Sequence, residues 1–89
     1  MAKPIWESKS TCPPLVSGNV IDIGQGYFFL VVGFDVEMSV VQIKPNISLV
    51  PYRITQQDDR LINIERNCVW GPPIQRIWAS LEDFYGYAK

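Results

Sequence analysis

Residues 20–35 read VIDIGQGYFFLVVGFD, and the reading of this stretch decides the fold. An acidic residue, Asp22, precedes Gly24 and Gly26, and eight uncharged residues follow at 27–34. Three structures compete: a phosphate-cradling hairpin, a membrane segment, or two strands and the turn between them. The membrane reading fails on length, because the uncharged run 24–34 is far short of the ~18 residues a span requires. The strand reading is direct. Residues 27–34 are aromatic and β-branched, which suits a pleated surface. Glycine at 24 and 26 reaches positive φ without steric cost, which suits the turn.

Working outward, the same signals recur. Short strands are expected at 19–23, 27–34, 39–44, 48–55 and 60–70, separated by polar or proline-bearing turns. Pro51 cannot donate to a ladder, so the fourth strand is expected at an edge or a bulge. In the fifth, Ile62, Ile64, Cys68 and Trp70 alternate against Asn63, Glu65 and Asn67, giving one dry face and one wet one. After Pro72-Pro73 the period changes. Ile74, Ile77, Trp78, Leu81, Tyr85 and Ala88 fall on one stripe at 3.6-residue spacing, which predicts an amphipathic helix over 73–86. The alternative is a strand at 74–79 followed by a short helix capped by Ser80, with Asp83 three residues on.

The expected fold class is therefore mainly β (α+β). About five antiparallel strands form a meander, as a curved sheet or a small SH3-like partly closed barrel, with one C-terminal amphipathic helix. Residues 1–14, with Pro4, Pro13 and Pro14, read as an N-terminal arm that Ile5 and Trp6 pin to the body, and 15–89 as a single small domain. A chain of 89 residues buries only about 60–65% of its unfolded surface, so its core is modest.

Composition narrows the function. Hydrophobic residues make 47% of the chain and charged residues 19%, which places it among globular proteins. The net charge is −1 and the eight basic residues never form a run, so no basic stripe is present to neutralise phosphates. With no histidine, the commonest general base is missing. Two separate cysteines without histidine cannot make a tetrahedral zinc site, and Asp58-Asp59 lacks the further ligands of a calcium loop. No catalytic residue, metal or cofactor is expected. The opening MAKPIWESKS lacks the apolar core of a secretory signal, so a cytoplasmic protein with reduced thiols is expected, and the Asn46-Ile47-Ser48 sequon is read as incidental.

IDIGQGYFFLVV also resembles the first phosphate-binding hairpin of the actin-like ATPase superfamily, where an acidic residue and glycines lie between two strands. Asp22, Gly24 and Gly26 match that pattern over about a dozen residues. The resemblance implies nucleotide phosphate binding at those three positions. In that family the hairpin works alongside a second phosphate loop and an adenosine site, and nothing later in this chain supplies either.

The last clue lies in strand 27–34. Phe28, Leu30, Val32 and Phe34 point one way, and Tyr27, Phe29, Val31 and Gly33 the other, so both faces are apolar. One helix covers one face. The other needs the N-terminal arm, curling of the sheet, or a second polypeptide. Large exposed apolar patches mark interfaces. The primary expectation is thus a small non-catalytic protein-interaction module. It binds another protein or itself through Tyr27, Phe29 and Val31, with Trp6 or Trp70 at the rim. A nucleic-acid-binding barrel using Tyr52, Arg53, Arg60 and Arg66 is the second reading, and a phosphate site at Asp22, Gly24 and Gly26 the third.

Overall fold

The computed structural model describes residues 3–8, 10–32, 38–48, 50–69 and 72–88. Among them the chain forms eight strands and one helix: β1 (Trp6–Glu7), β2 (Val20–Asp22), β3 (Phe28–Val31), β4 (Met38–Lys44), β5 (Tyr52–Gln57), β6 (Arg60–Asn63), β7 (Cys68–Val69), β8 (Arg76–Trp78) and α1 (Leu81–Ala88). All pairings are antiparallel, in the order β1-β8-β2-β3-β4-β5-β6-β7. The sheet curls into a half-barrel. The mainly β class with a C-terminal helix is as expected, while eight strands replace five.

Three departures have identifiable causes. The expected fifth strand breaks at 64–67, where the Asn63 side-chain oxygen accepts the Arg66 backbone N–H at 2.9 Å and Asn67 adopts φ 50°. Asparagine favours both the side-chain turn and the left-handed region, so Asn63 and Asn67 outweigh the apolar alternation around them. The inward face is also the opposite one. Leu61 and Asn63 are buried, Ile62 is half-buried and Cys68 is exposed.

The expected helix over 73–86 is the second departure. Residues 76–78 are a strand because β2 would otherwise lack a partner on one side. Val20, Ile21 and Asp22 pair with Trp78, Ile77 and Arg76. The helix starts only at Leu81, where Ser80 Oγ accepts the Asp83 N–H at 3.1 Å. That is the N-cap bond of the alternative reading.

The third departure is at the N-terminus. Residues read as an arm add an edge strand, with Trp6 paired to Ile77, and bury Trp6 and Cys12 in the curl beside Leu15. Gln56 clamps this segment. Its Oε1 accepts from Leu15 N at 2.7 Å, and its Nε2 donates to the Pro13 carbonyl at 2.8 Å. The Ile74 N–H to Asp59 carbonyl bond, at 2.7 Å, ties the tip of the β5–β6 hairpin to the approach to β8.

Two apolar layers result. Inside the curl, Ile21, Phe29, Val31, Val40, Ile54, Leu61 and Ile77 form the main core. On the convex side, Val20, Ile43, Trp78 and Phe84 make a second cluster, with Phe28, Leu30 and Leu81 packed on it. Alternation along β3 feeds both: odd positions enter the curl, even positions meet the helix. Trp78 and Phe84 stack edge to face at 5.0 Å, which anchors α1.

Candidate functional site

The Asp22 hairpin shows how this motif is used here. Gly24 carbonyl accepts the Tyr27 N–H at 3.2 Å, and Gln25 and Gly26 sit at φ 60° and 82°. These are the φ values of a type I′ turn, whose twist matches that of the flanking strands. Gly26 therefore serves the turn. Asp22 is buried and fully engaged: Oδ1 accepts the Gly24 N–H at 2.7 Å, and Oδ2 accepts Arg76 Nε and Nη2 at 2.9 and 2.7 Å. The guanidinium also lies 5.2 Å from the centre of the Trp78 ring. The ion pair joins registered neighbours on β2 and β8, so it fastens the strand that the sequence reading made helical.

The predicted interface residues are dispersed. Phe29 and Val31 are 3% and 1% exposed, and both belong to the inner core. Trp6 is buried with them. An interface formed by these three side chains requires surface they do not have; curling of the sheet and the N-terminal segment cover that face. Tyr27 is exposed. Trp70 lies outside the described residues.

The structure gathers a different set. Since Phe28 pairs with Lys44, the β2–β3 turn and the β4–β5 connection lie at the same end of the sheet. There Tyr27, Tyr52, Gln25, Gln42 and Pro72 surround a cavity of about 300 Å³ whose floor is Ile23 and Phe29. On the adjoining connection Ile47 and Val50 are 70% and 66% exposed. Sequence reasoning missed both: Ile47 lies in the turn before the expected fourth strand, and Val50 reads as part of that strand at 48–55, whereas β5 begins only at Tyr52. The available hint was two bulky apolar residues in a polar, proline-bearing loop.

The residues of the nucleic-acid reading divide. Tyr52 pairs with Val40 and so faces the concave side, while its neighbour Arg53 takes the convex side. A stacking ring and its adjacent cation thus stand on opposite faces. Arg60 is at the start of β6 and Arg66 in the β6–β7 turn.

Neither cysteine has the setting of a nucleophile. Burial pushes the Cys12 thiol up, and the Asp59 and Asp58 carboxylates push it further the same way. Cys68 is exposed on β7. Among the described residues no group of three His, Cys, Asp or Glu side chains could hold a metal ion, and no helix is long and apolar enough to cross a membrane. No protein-family model, curated protein or solved structure matches the chain.

Proposed function

We propose that this chain is a small protein-binding module that does no chemistry itself. It docks on a larger protein, or on a second copy, through the end of the half-barrel formed by the β2–β3 turn and the β4–β5 connection. The carrying observation is the concentration of large, exposed apolar side chains there: Tyr27, Ile47, Val50 and Tyr52. Exposing four such groups at one end of an 89-residue domain costs solubility, and a concentration of exposed apolar side chains is characteristic of interfaces. The interface is thereby moved from the β3 face to the end of the sheet, with Tyr27 common to both.

The alternatives have less support. The Tyr52–Arg53 split separates the aromatic and the cation on which the single-stranded nucleic-acid reading rests. The engaged carboxylate of Asp22 and the turn role of Gly26 account for the phosphate-like motif without a ligand.

The test is the double substitution Ile47→Asp, Val50→Asp. Both side chains are mostly solvent-exposed, so the variant is expected to melt as the wild type does. Light scattering and affinity capture from the native cells are expected to show an assembly for the wild type that the variant loses. An assembly that both proteins retain contradicts the proposal.

A further inference from the structure

The cavity between Tyr27 and Tyr52, about 300 Å³ in volume, lies on the docking surface proposed above. Its chemistry narrows the kind of peptide it holds. None of the described residues around it is charged at neutral pH. A charged side chain entering it would lose water and gain no counter-charge, so the occupant is neutral. The floor, Ile23 and Phe29, is 6% and 3% exposed and belongs to the inner core, so the hollow is preformed.

A peptide can enter as a strand, a helix or a polyproline II segment. A strand adds to a sheet only at an open edge. β2, β3, β4 and β5, whose ends surround the cavity, each lie between two hydrogen-bonded neighbours. Beyond the last β4–β5 pair, the Gln42 carbonyl accepts the Ser48 N–H at 2.9 Å, so that acceptor is taken as well. A helix is about 10–12 Å across and needs a groove long enough for anchors one and two turns apart. A hollow of about 300 Å³, at the lower end of small-molecule sites, admits only a few side chains. A polyproline II segment meets both limits. It needs no ladder, and its backbone carbonyls have no internal partner. Tyrosine hydroxyls and glutamine amides are neutral donors for such carbonyls, and Tyr27, Tyr52, Gln25 and Gln42 supply them around the cavity. Aromatic walls also suit flat proline rings.

We propose, on the protein-docking reading of this end, that the partner presents a neutral, proline-containing segment in the polyproline II conformation, seated between Tyr27 and Tyr52. The proline rings lie against the two tyrosines, and the peptide carbonyls accept from the surrounding amides and hydroxyls.

The test is a titration of the isotope-labelled full chain with N-acetyl-hexaproline amide, up to about 2 mM, read by nuclear magnetic resonance. Saturable shifts are expected at the Gln25 and Gln42 side-chain amides and at the backbone of Tyr27 and Tyr52. A blocked glycine–serine peptide of equal length, which is not pre-organised, is expected to bind about tenfold more weakly or worse. Tyr27 is 42% exposed, so Tyr27→Ala is expected to melt as the wild type does and to lose about tenfold in affinity, whereas Tyr27→Phe, which keeps the ring, loses less. No saturable shift, equal binding of the glycine–serine peptide, or unchanged affinity in Tyr27→Ala overturns the proposal. If Ile47→Asp, Val50→Asp abolishes the native assembly while hexaproline gives no shift, the docking reading stands and the polyproline partner falls. If the double variant keeps the assembly, the docking reading fails and the polyproline partner falls with it.

Discussion

At the scale of single residues, three side chains carry sharp consequences. Phe29 was expected on an open face and lies in the core, so Phe29→Asp places a charge where no partner waits. That cost rivals the whole stability of a small domain, and the variant is expected to be unfolded by circular dichroism. Arg76 holds the carboxylate of Asp22, whose side chain is 5% exposed. Truncating the cation in Arg76→Ala strands a buried charge. With the Gly24 N–H still bonded and the Arg76 side chain itself partly solvated, a loss of about 2–3 kcal/mol is expected by urea titration. A loss below a few tenths of a kcal/mol would contradict the structural role given to the pair.

The two thiols should separate in reactivity. Burial and two neighbouring carboxylates raise the Cys12 thiol, so its reactive thiolate is disfavoured, while Cys68 lies open on β7. Alkylation at mild alkaline pH is expected to modify Cys68 first, by about tenfold or more in rate. The sign for stability follows. A thiol that holds its proton more tightly in the fold than in the unfolded chain stabilises the fold at neutral pH. That contribution is lost as pH rises through the thiol range, from the unfolded value upward to the raised one.

At the scale of elements, some of the fold was legible and some was not, for physical reasons. The hairpin at 20–31 could be read because turn chemistry and apolar content agree there. Gly24 and Gly26 sit where positive φ is needed, and β-forming residues flank them. The expected strand over 60–70 is too long because alternation continues through 64–67, while the Asn63 side-chain bond and Asn67 turn the chain. Residues 74–79 satisfy both a helical stripe and a strand. The deciding factor is β2's need for a neighbour, which is a tertiary demand invisible in a local window. β1 is two residues long, below any periodicity signal. Of the site, Tyr27 could be read from the apolar alternation of strand 27–34, whereas Ile47 and Val50 could not, since which residues stand outside β5 is decided by its pairing with β4.

The short helix gives its own test. α1 has eight residues, too few to stand without packing, and rests on the Ser80 cap and on Phe84. Ser80→Ala is expected to cost about 1 kcal/mol, read as a lower urea midpoint. Phe84→Ala is expected to cost about 3–5 kcal/mol and to open the convex face of β3.

At the scale of the whole molecule, one curled sheet is closed from two sides. The N-terminal segment fills the curl, with Gln56 as its clamp, and α1 covers the convex side of β2, β3 and β8. Curling and the N-terminal segment resolve the puzzle of a strand that is apolar on both faces, without a second polypeptide at that place. The unspent apolar surface is instead at the end carrying Tyr27, Ile47, Val50 and Tyr52. Another exposed aliphatic residue, Val16, precedes β2 at that strand's opposite end and provides a built-in control.

The central claim, that this end of the half-barrel docks on protein, is tested most directly by placing a photo-crosslinking amino acid at position 47 or at position 16 in the native cells. Crosslinked adducts from position 47 and none from position 16 are the expected result. Adducts from position 16 with none from position 47 would contradict it.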